Sequence, residues 1–182
     1  MHKYVSIFDE RISLGIFEID SNNNLVKSYN YTEKEPIIQL DIVTFNLDSV
    51  FTSNGDTMIK TRYVYTFTYG EGLGILELGE FFANKVKTGG SWDYKQQLGT
   101  KKLYRARVNG ATVDMAGEDI GNANYGFAGR KGFSAKLLRT AAGAYQICSR
   151  TSELGWYKTY FDDPNDQYWI NRGINYSEGK GF

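Results

Sequence analysis

Apolar and polar positions divide this chain into two stretches of different periodicity. Over residues 3–70 the pattern is short and strand-like. Tyr4–Phe8, Leu14–Ile19 and Leu25–Tyr29 are β-rich runs, and Asp20-Ser21-Asn22-Asn23-Asn24 is a turn signal between the last two. Ile37–Val43 and Thr57–Tyr69 continue the pattern. In the latter, Thr61, Tyr63, Tyr65, Phe67 and Tyr69 alternate with Arg62, Val64, Thr66 and Thr68. A β-meander is the economical reading. Near Gly70–Gly74 the period lengthens. Ile75, Leu78, Phe82 and Val86 fall at helical spacing, and Gly89-Gly90 stops that helix. Lys101–Val108 can form a strand. Ser134–Arg150 is the clearest helix, with Leu137, Leu138, Ala141, Ala142, Tyr145 and Cys148 on one face and Ser134 as cap. Its alanines and Gly143 would let another element approach closely. A final helix is expected from Pro164 to Gly173. The fold class is therefore α+β: a β-rich N-terminal region over 1–72, then a mainly helical domain over 73–182.

Composition narrows the chemistry. The 182 residues carry 21 Lys+Arg and 21 Asp+Glu, so the formal charge is zero. Residues 71–182 are mildly basic, which argues weakly against a general nucleic-acid binder. The single histidine, His2, lies at the N-terminus. Histidine-based acid/base pairs, Ser-His-Asp and Cys-His arrangements, and histidine zinc sites are thereby excluded. Catalysis must rest on Asp, Glu, Tyr, Lys, Arg, Ser or Thr. One cysteine, Cys148, excludes an internal disulfide and a cysteine zinc cluster; it is expected buried on its helix. No apolar run approaches the roughly 20 residues of a membrane span, and Met1–Val5 lacks the apolar stretch of a signal peptide.

The candidate chemistry lies in three segments. Glu118-Asp119 precedes Gly121-Asn122-Ala123-Asn124-Tyr125. A carboxyl group with apolar or like-charged neighbours holds its proton and can act as a general acid, while a second carboxylate stabilises a cation or activates water. Asn122 and Asn124 can orient a sugar or a phosphate. The structural alternative is a turn and helix start with Asp119 as cap. In Asp162-Asp163-Pro164-Asn165-Asp166, Asp163 fits the N-cap, Pro164 the first helical position and Asp166 a capping-box partner; Asp162 is left for chemistry. The acid spacing does not match a calcium loop, and no metal or cofactor is expected. In Trp92-Asp93-Tyr94-Lys95, an extended backbone would point Asp93 and Lys95 the same way, as an ion pair or as an acid and a base lining a cleft. Trp92 is assigned to the core. Lys101-Lys102, Arg105 and Arg107 read as a charged, solvated edge strand.

Taken in order, Gly89-Gly90-Ser91-Trp92-Asp93-Tyr94-Lys95, Glu118-Asp119-Ile120-Gly121-Asn122-Ala123-Asn124-Tyr125-Gly126, a small-residue helix, and Asp162-Asp163-Pro164 through Tyr176 resemble the bacterial toxin 44 family over about residues 75–178. The resemblance implies a secreted toxin with a cognate immunity protein and a secretion apparatus. It also marks Tyr125 and Tyr176 as substrate-binding candidates, beside Lys95, Asn122, Asn124, Asp163 and Asp166. The catalytic candidates are Glu118 as the acid and Asp93, Asp119 or Asp162 as the second carboxylate. Two enzymatic functions follow. One is a His-free, lysozyme-like cleavage of peptidoglycan after injection into the periplasm; the other is a cytoplasmic ribonuclease in which Lys95, Arg130 or Lys131 stabilises the phosphorane. A non-enzymatic binding module is the third reading.

Overall fold

The computed structural model describes residues 17–19, 25–27, 43–149 and 151–182. The chain forms two compact units, Met1–Asp41 and Ile42–Phe182. In the first, β1 (Phe17–Ile19) and β2 (Leu25–Lys27) pair antiparallel with Glu18 opposite Val26. The strand expected at Tyr4–Phe8, the turn at 20–24 and nearly all of Ile37–Val43 lie outside the described residues.

The second unit begins with β3 (Thr44–Asn46), which runs parallel to β4 (Leu103–Val108). β4 then pairs antiparallel with β5 (Ala111–Ala116). Asn109-Gly110 joins them with φ of 52° and 73°, the doubly left-handed turn that suits the twist of a hairpin. α1 (Leu47–Val86) follows β3, capped by Asn46, whose Oδ1 accepts from the Ser49 amide at 3.0 Å. α2 (Tyr94–Leu98) precedes the hairpin; α3 (Gly117–Arg130), α4 (Ala135–Ser149), a 3-10 turn (Leu154–Thr159) and α5 (Pro164–Ser177) follow it. The class is α+β, and no helix among the described residues is long and apolar enough to cross a membrane.

One expected strand is a helix. Thr57–Tyr69 belongs to α1. Upstream, Leu47, Phe51, Asn54 and Met58 are buried at helical spacing, and that stripe carries the helix through the alternating stretch. The alternation buries little: of its aromatics Tyr65 alone packs against the interior, while Tyr63 is 71 % and Phe67 81 % exposed. These two rings stack at 6.2 Å, and Tyr65 meets Tyr69 edge-on at 6.0 Å, both i,i+4 pairs. Residues 47–72 therefore belong to the compact unit that also holds the later helices.

Gly70 interrupts α1 with φ 78° and ψ 167°. The chain doubles back there. A methyl group on Gly74 would sit 2.7 Å from the Thr66 backbone, and Tyr65 meets Phe81 edge-on. That φ/ψ combination is essentially restricted to glycine. Nothing lies within 4 Å of a side chain at Gly70, so Gly70→Ala tests backbone strain alone. It is expected to cost about 1–3 kcal/mol in denaturant unfolding. Gly72→Ala, equally uncrowded, is expected to stabilise the helix by up to about 1 kcal/mol. Equal effects at the two positions would contradict the assigned turn.

Two apolar clusters form the interior. One joins Leu47 and Phe51 of α1 to Tyr104, Val108 and Met115 of the hairpin, Ile120 of α3 and Trp169 of α5. The other joins Met58, Leu78 and Phe82 to Trp92, Ala128, Leu138, Ile170 and Ile174. Trp92 is core, as its sequence context suggests. Cys148 is not: it is exposed. α4 buries Leu138 and packs Gly143 against the Tyr160 carbonyl, but its later residues Tyr145 and Ile147 face outward. The apolar stripe is thus used only in the first part of α4.

Candidate active site

The N-termini of α3 and α5 meet at a cluster of carboxylates. Unpaired amides and the helix dipole make each N-terminus favourable for negative charge. On α3, the Asp119 Oδ2 accepts from the Ala116 amide at 2.8 Å, which fixes the first turn. Its Oδ1 accepts from Asn165 Nδ2 at 3.2 Å, tying α3 to α5. Beside it, Glu118 pairs with Lys101 and lies 3.8 Å from Lys95. The Glu118 side chain is 14 % exposed, whereas both lysines are largely in solvent.

On α5, Asp163 is the N-cap, accepting from the Asn165 amide at 2.7 Å. Asp166 does not complete a capping box. Its two oxygens accept from Asn122 Nδ2 at 2.8 Å and Gln146 Nε2 at 3.1 Å, so it belongs to the site rather than to the cap. Asp162 is buried, at 2 % exposure, and accepts from Gln167 Nε2 at 2.8 Å.

Burial dominates the proton affinities here. It pushes Asp162 up to about 6, against the hydrogen bond from Gln167 and with help from the charge of Asp166. Burial, then the charge of Asp163, raises Asp166; Lys95 and Asn122 oppose the rise, and Glu118 adds to it. Lys101 is held above its ordinary value by Glu118. The site therefore contains two carboxyls of raised proton affinity beside one, Glu118, that faces two ammonium groups.

A pH dependence of stability follows. Folded Asp162 keeps its proton up to about pH 6, whereas an unfolded Asp releases it near pH 4. Between those values the folded state carries more protons, so stability falls as pH rises through the window and levels off above it. Asp166 acts in the same direction. Glu178, lowered to about 2 by Lys180 and Arg130, contributes stability that is lost only as pH falls below about 4. Melting of the wild type is thus expected to drop between pH 4.5 and 6.5 relative to Asp162→Asn. Parallel melting curves for the two proteins would contradict the raised proton affinity.

Of the other sequence candidates, Asp93, Asn124, Tyr125 and Tyr176 are bonded within the scaffold, and Lys95 faces Glu118. Asp93 and Lys95 do not lie on an extended segment: Asp93 caps α2, accepting from the Gln96 amide at 3.2 Å and the Gly89 amide at 2.8 Å. Both of its oxygens are used in closing that turn. Lys95 leaves α2 toward Glu118. Asn124 is buried, and its Oδ1 accepts from Asn54 Nδ2 at 2.9 Å. Tyr125 donates to the Leu138 carbonyl at 3.0 Å, and burial raises its hydroxyl pKa. Tyr176 donates to Asp48 at 2.8 Å among Phe51, Phe127 and Phe182.

Lys101, Asn165 and Gln146 are the site members that motif reading passes over. Lys101 has a sequence signal, a basic residue just ahead of a strand, but its pairing depends on the hairpin that returns the chain to Glu118. Neither the curated proteins nor the solved structures include a match to this chain. The family model described as bacterial toxin 44 matches residues 81–179, which take in the whole carboxylate cluster. The chain belongs to the bacterial toxin 44 family.

Proposed function

We propose that this toxin is a hydrolase that cleaves the glycan strands of peptidoglycan, with Asp166 as proton donor and Glu118 as the second carboxylate. The observation that carries the reading is the contrast between these two groups. Asp166 is partly buried, bonded by two amides and raised in proton affinity. Glu118 stands against Lys95 and Lys101. Glycosidases need such a divergent pair: an acid to protonate the departing oxygen, and a carboxylate to attack the sugar or activate water. The sequence alone favours Glu118 as the acid; the lysines beside it argue for the opposite assignment. Asp119 and Asn165 then hold the two helix ends in register, and Asp162 stands behind Asp166 as a second carboxyl of raised proton affinity. Separations of about 5 Å in the bound state would give retention of configuration, and about 6.5–9.5 Å inversion.

Such an enzyme works in the periplasm of a target cell. A cognate immunity protein and a contractile secretion apparatus are the partners that this route calls for. A second reading has its own observation. Lys95 and Lys101 beside Glu118 also suit a ribonuclease, with Glu118 taking the 2′-hydroxyl proton and a lysine facing the phosphorane. Producing the chain in a bacterial host, either retained in the cytoplasm or exported by an added signal sequence, separates the two. Lysis by the exported form alone, with soluble sugar released from purified sacculi, is the expected result. Arrest by the cytoplasmic form alone, with cleaved RNA, would replace the glycan reading by the ribonuclease.

A further inference from the structure

Beside the α5 N-terminus, α4, the 3-10 turn and α5 line an open cleft of about 360 Å³. Its lining includes Arg139 and Lys158, Tyr160, and the amides of Gln167, Asn171 and Asn175. We infer that this cleft is a sugar subsite that takes the carboxylate-bearing residue of the glycan, with Arg139 on the carboxylate and the Asn171 and Asn175 amides on the hydroxyl and acetamido groups. The inference rests on the glycan reading of the neighbouring carboxylates and names the part of the substrate that they leave unaddressed.

The cleft is built rather than incidental. Arg139 Nε donates to Asn171 Oδ1 at 2.6 Å, which fixes the guanidinium plane. Its two terminal nitrogens have no partner among the described residues, so the fork that matches a carboxylate remains available. Gln167 Nε2 is anchored twice, to the Arg139 carbonyl at 3.2 Å and to Asp162 at 2.8 Å. The wall opposite is held in an unusual backbone. Tyr160 and Phe161 are consecutive non-glycine residues with φ of 58° and 67°, a conformation that side-chain-bearing residues adopt at a cost. Phe161 N to the Trp156 carbonyl at 2.9 Å, Ser152 Oγ to the Phe161 carbonyl and Thr159 Oγ1 to the Asp162 carbonyl, both at 2.6 Å, hold it there. Tyr160 lines the cleft and is partly exposed, an aromatic residue of the kind on which a pyranose can rest.

The lining favours sugar over nucleic acid. The amides of Asn171 and Asn175 and a tyrosine suit vicinal hydroxyls and acetamides, and the cations are few in a chain of zero formal charge. The position also fits. Gln146, bonded to Asp166, and Arg139 are seven residues apart on α4, hence about 10 Å along the helix, the reach of a disaccharide. A bound glycan would then run from the cleft to the acid.

The test is titration calorimetry on the full chain carrying Asp166→Asn. Three probes are used: N-acetylglucosaminyl-N-acetylmuramic acid, uncharged di-N-acetylchitobiose and a diadenosine monophosphate. The acidic disaccharide is expected to bind best. Arg139→Met is expected to weaken it by about tenfold or more, the effect of one charge-assisted contact, while changing chitobiose by less than about twofold. Because Arg139 also bonds Asn171, Asn175→Asp is the second variant. Among the described residues the Asn175 side chain makes no hydrogen bond, and the new charge should weaken the acidic sugar more than chitobiose. Equal losses for both sugars, no loss in either variant, or preferred binding of the dinucleotide would overturn the subsite. The two readings fail separately. Sacculi digested normally by Arg139→Met with unaltered sugar binding would sink the cleft alone, whereas RNA cleavage in place of sacculus digestion would sink the parent reading.

Discussion

Asp166→Asn is expected to lower release of sugar from sacculi by about 10²–10⁴-fold, the usual worth of a positioned general acid. Toxicity of the exported form should disappear with it. The fold should survive. Asparagine keeps one acceptor for the two amides of Asn122 and Gln146, at a cost of about 1 kcal/mol. It also removes a carboxyl whose burial disfavours its charge. Glu118→Gln should lose activity on the same scale while leaving Lys95 and Lys101 in solvent, where single ion pairs stabilise little. The double variant should be little worse than either single one, since groups that act as a unit are not additive. Asp114→Asn, in an exposed pair with Arg105, serves as the inert control. Should Asp166→Asn digest sacculi at the wild-type rate with a normal melt, the acid lies elsewhere in the cluster, and Asp162 is the next group to test.

Much of this site is visible in the sequence because local chemistry makes it. Asp163-Pro164 announces a helix start by its cap and fixed φ, and Asp163 caps α5. Ser134 accepts from the Leu137 amide as a cap should. The failures come from signals that are ambiguous in period or settled at long range. Thr57–Tyr69 alternates, yet residues at i and i+4 satisfy period two and a helix face alike, and only the buried stripe from Leu47 to Met58 decides between them. Asn109-Gly110 is a strong hairpin signal, and with it β5 was open to sequence reading. Lys101 was not: its partner lies 17 positions on, across the hairpin. Asp166 has the sequence of a capping-box residue, but Asn122 and Gln146 come from two other helices and claim it. Three-dimensional competition for one carboxylate leaves no trace in spacing.

Gly126→Ala is expected to be strongly destabilising. α3 and α5 cross with their backbones in contact. A methyl group on Gly126 would collide with the Ile170 carbonyl, and one on Gly173 with the Ala123 carbonyl. Backbone cannot step aside as a flexible side chain can, so the helices must separate. The residues that flank the crossing belong to both apolar clusters: Ala123 and Trp169 to one, Ala128, Ile170 and Ile174 to the other. A separation at this point loosens both at once. Overpacking of a close core costs about 1–3 kcal/mol and sometimes more. The upper end is expected here, which for a chain of this size lowers Tm by roughly 6–12 °C. Gly173→Ala should cost a similar amount, and the pair less than the sum, because either methyl already opens the same crossing. Gly79→Ala, with nothing near its Cβ, should be neutral or slightly stabilising. Activity should fall faster than stability. The Asn165–Asp119 and Asn122–Asp166 bonds span the same two helices, and catalysis responds to displacements of about 1 Å. A folded Gly126→Ala protein that digests sacculi normally would show that these helices do not set the geometry of the site.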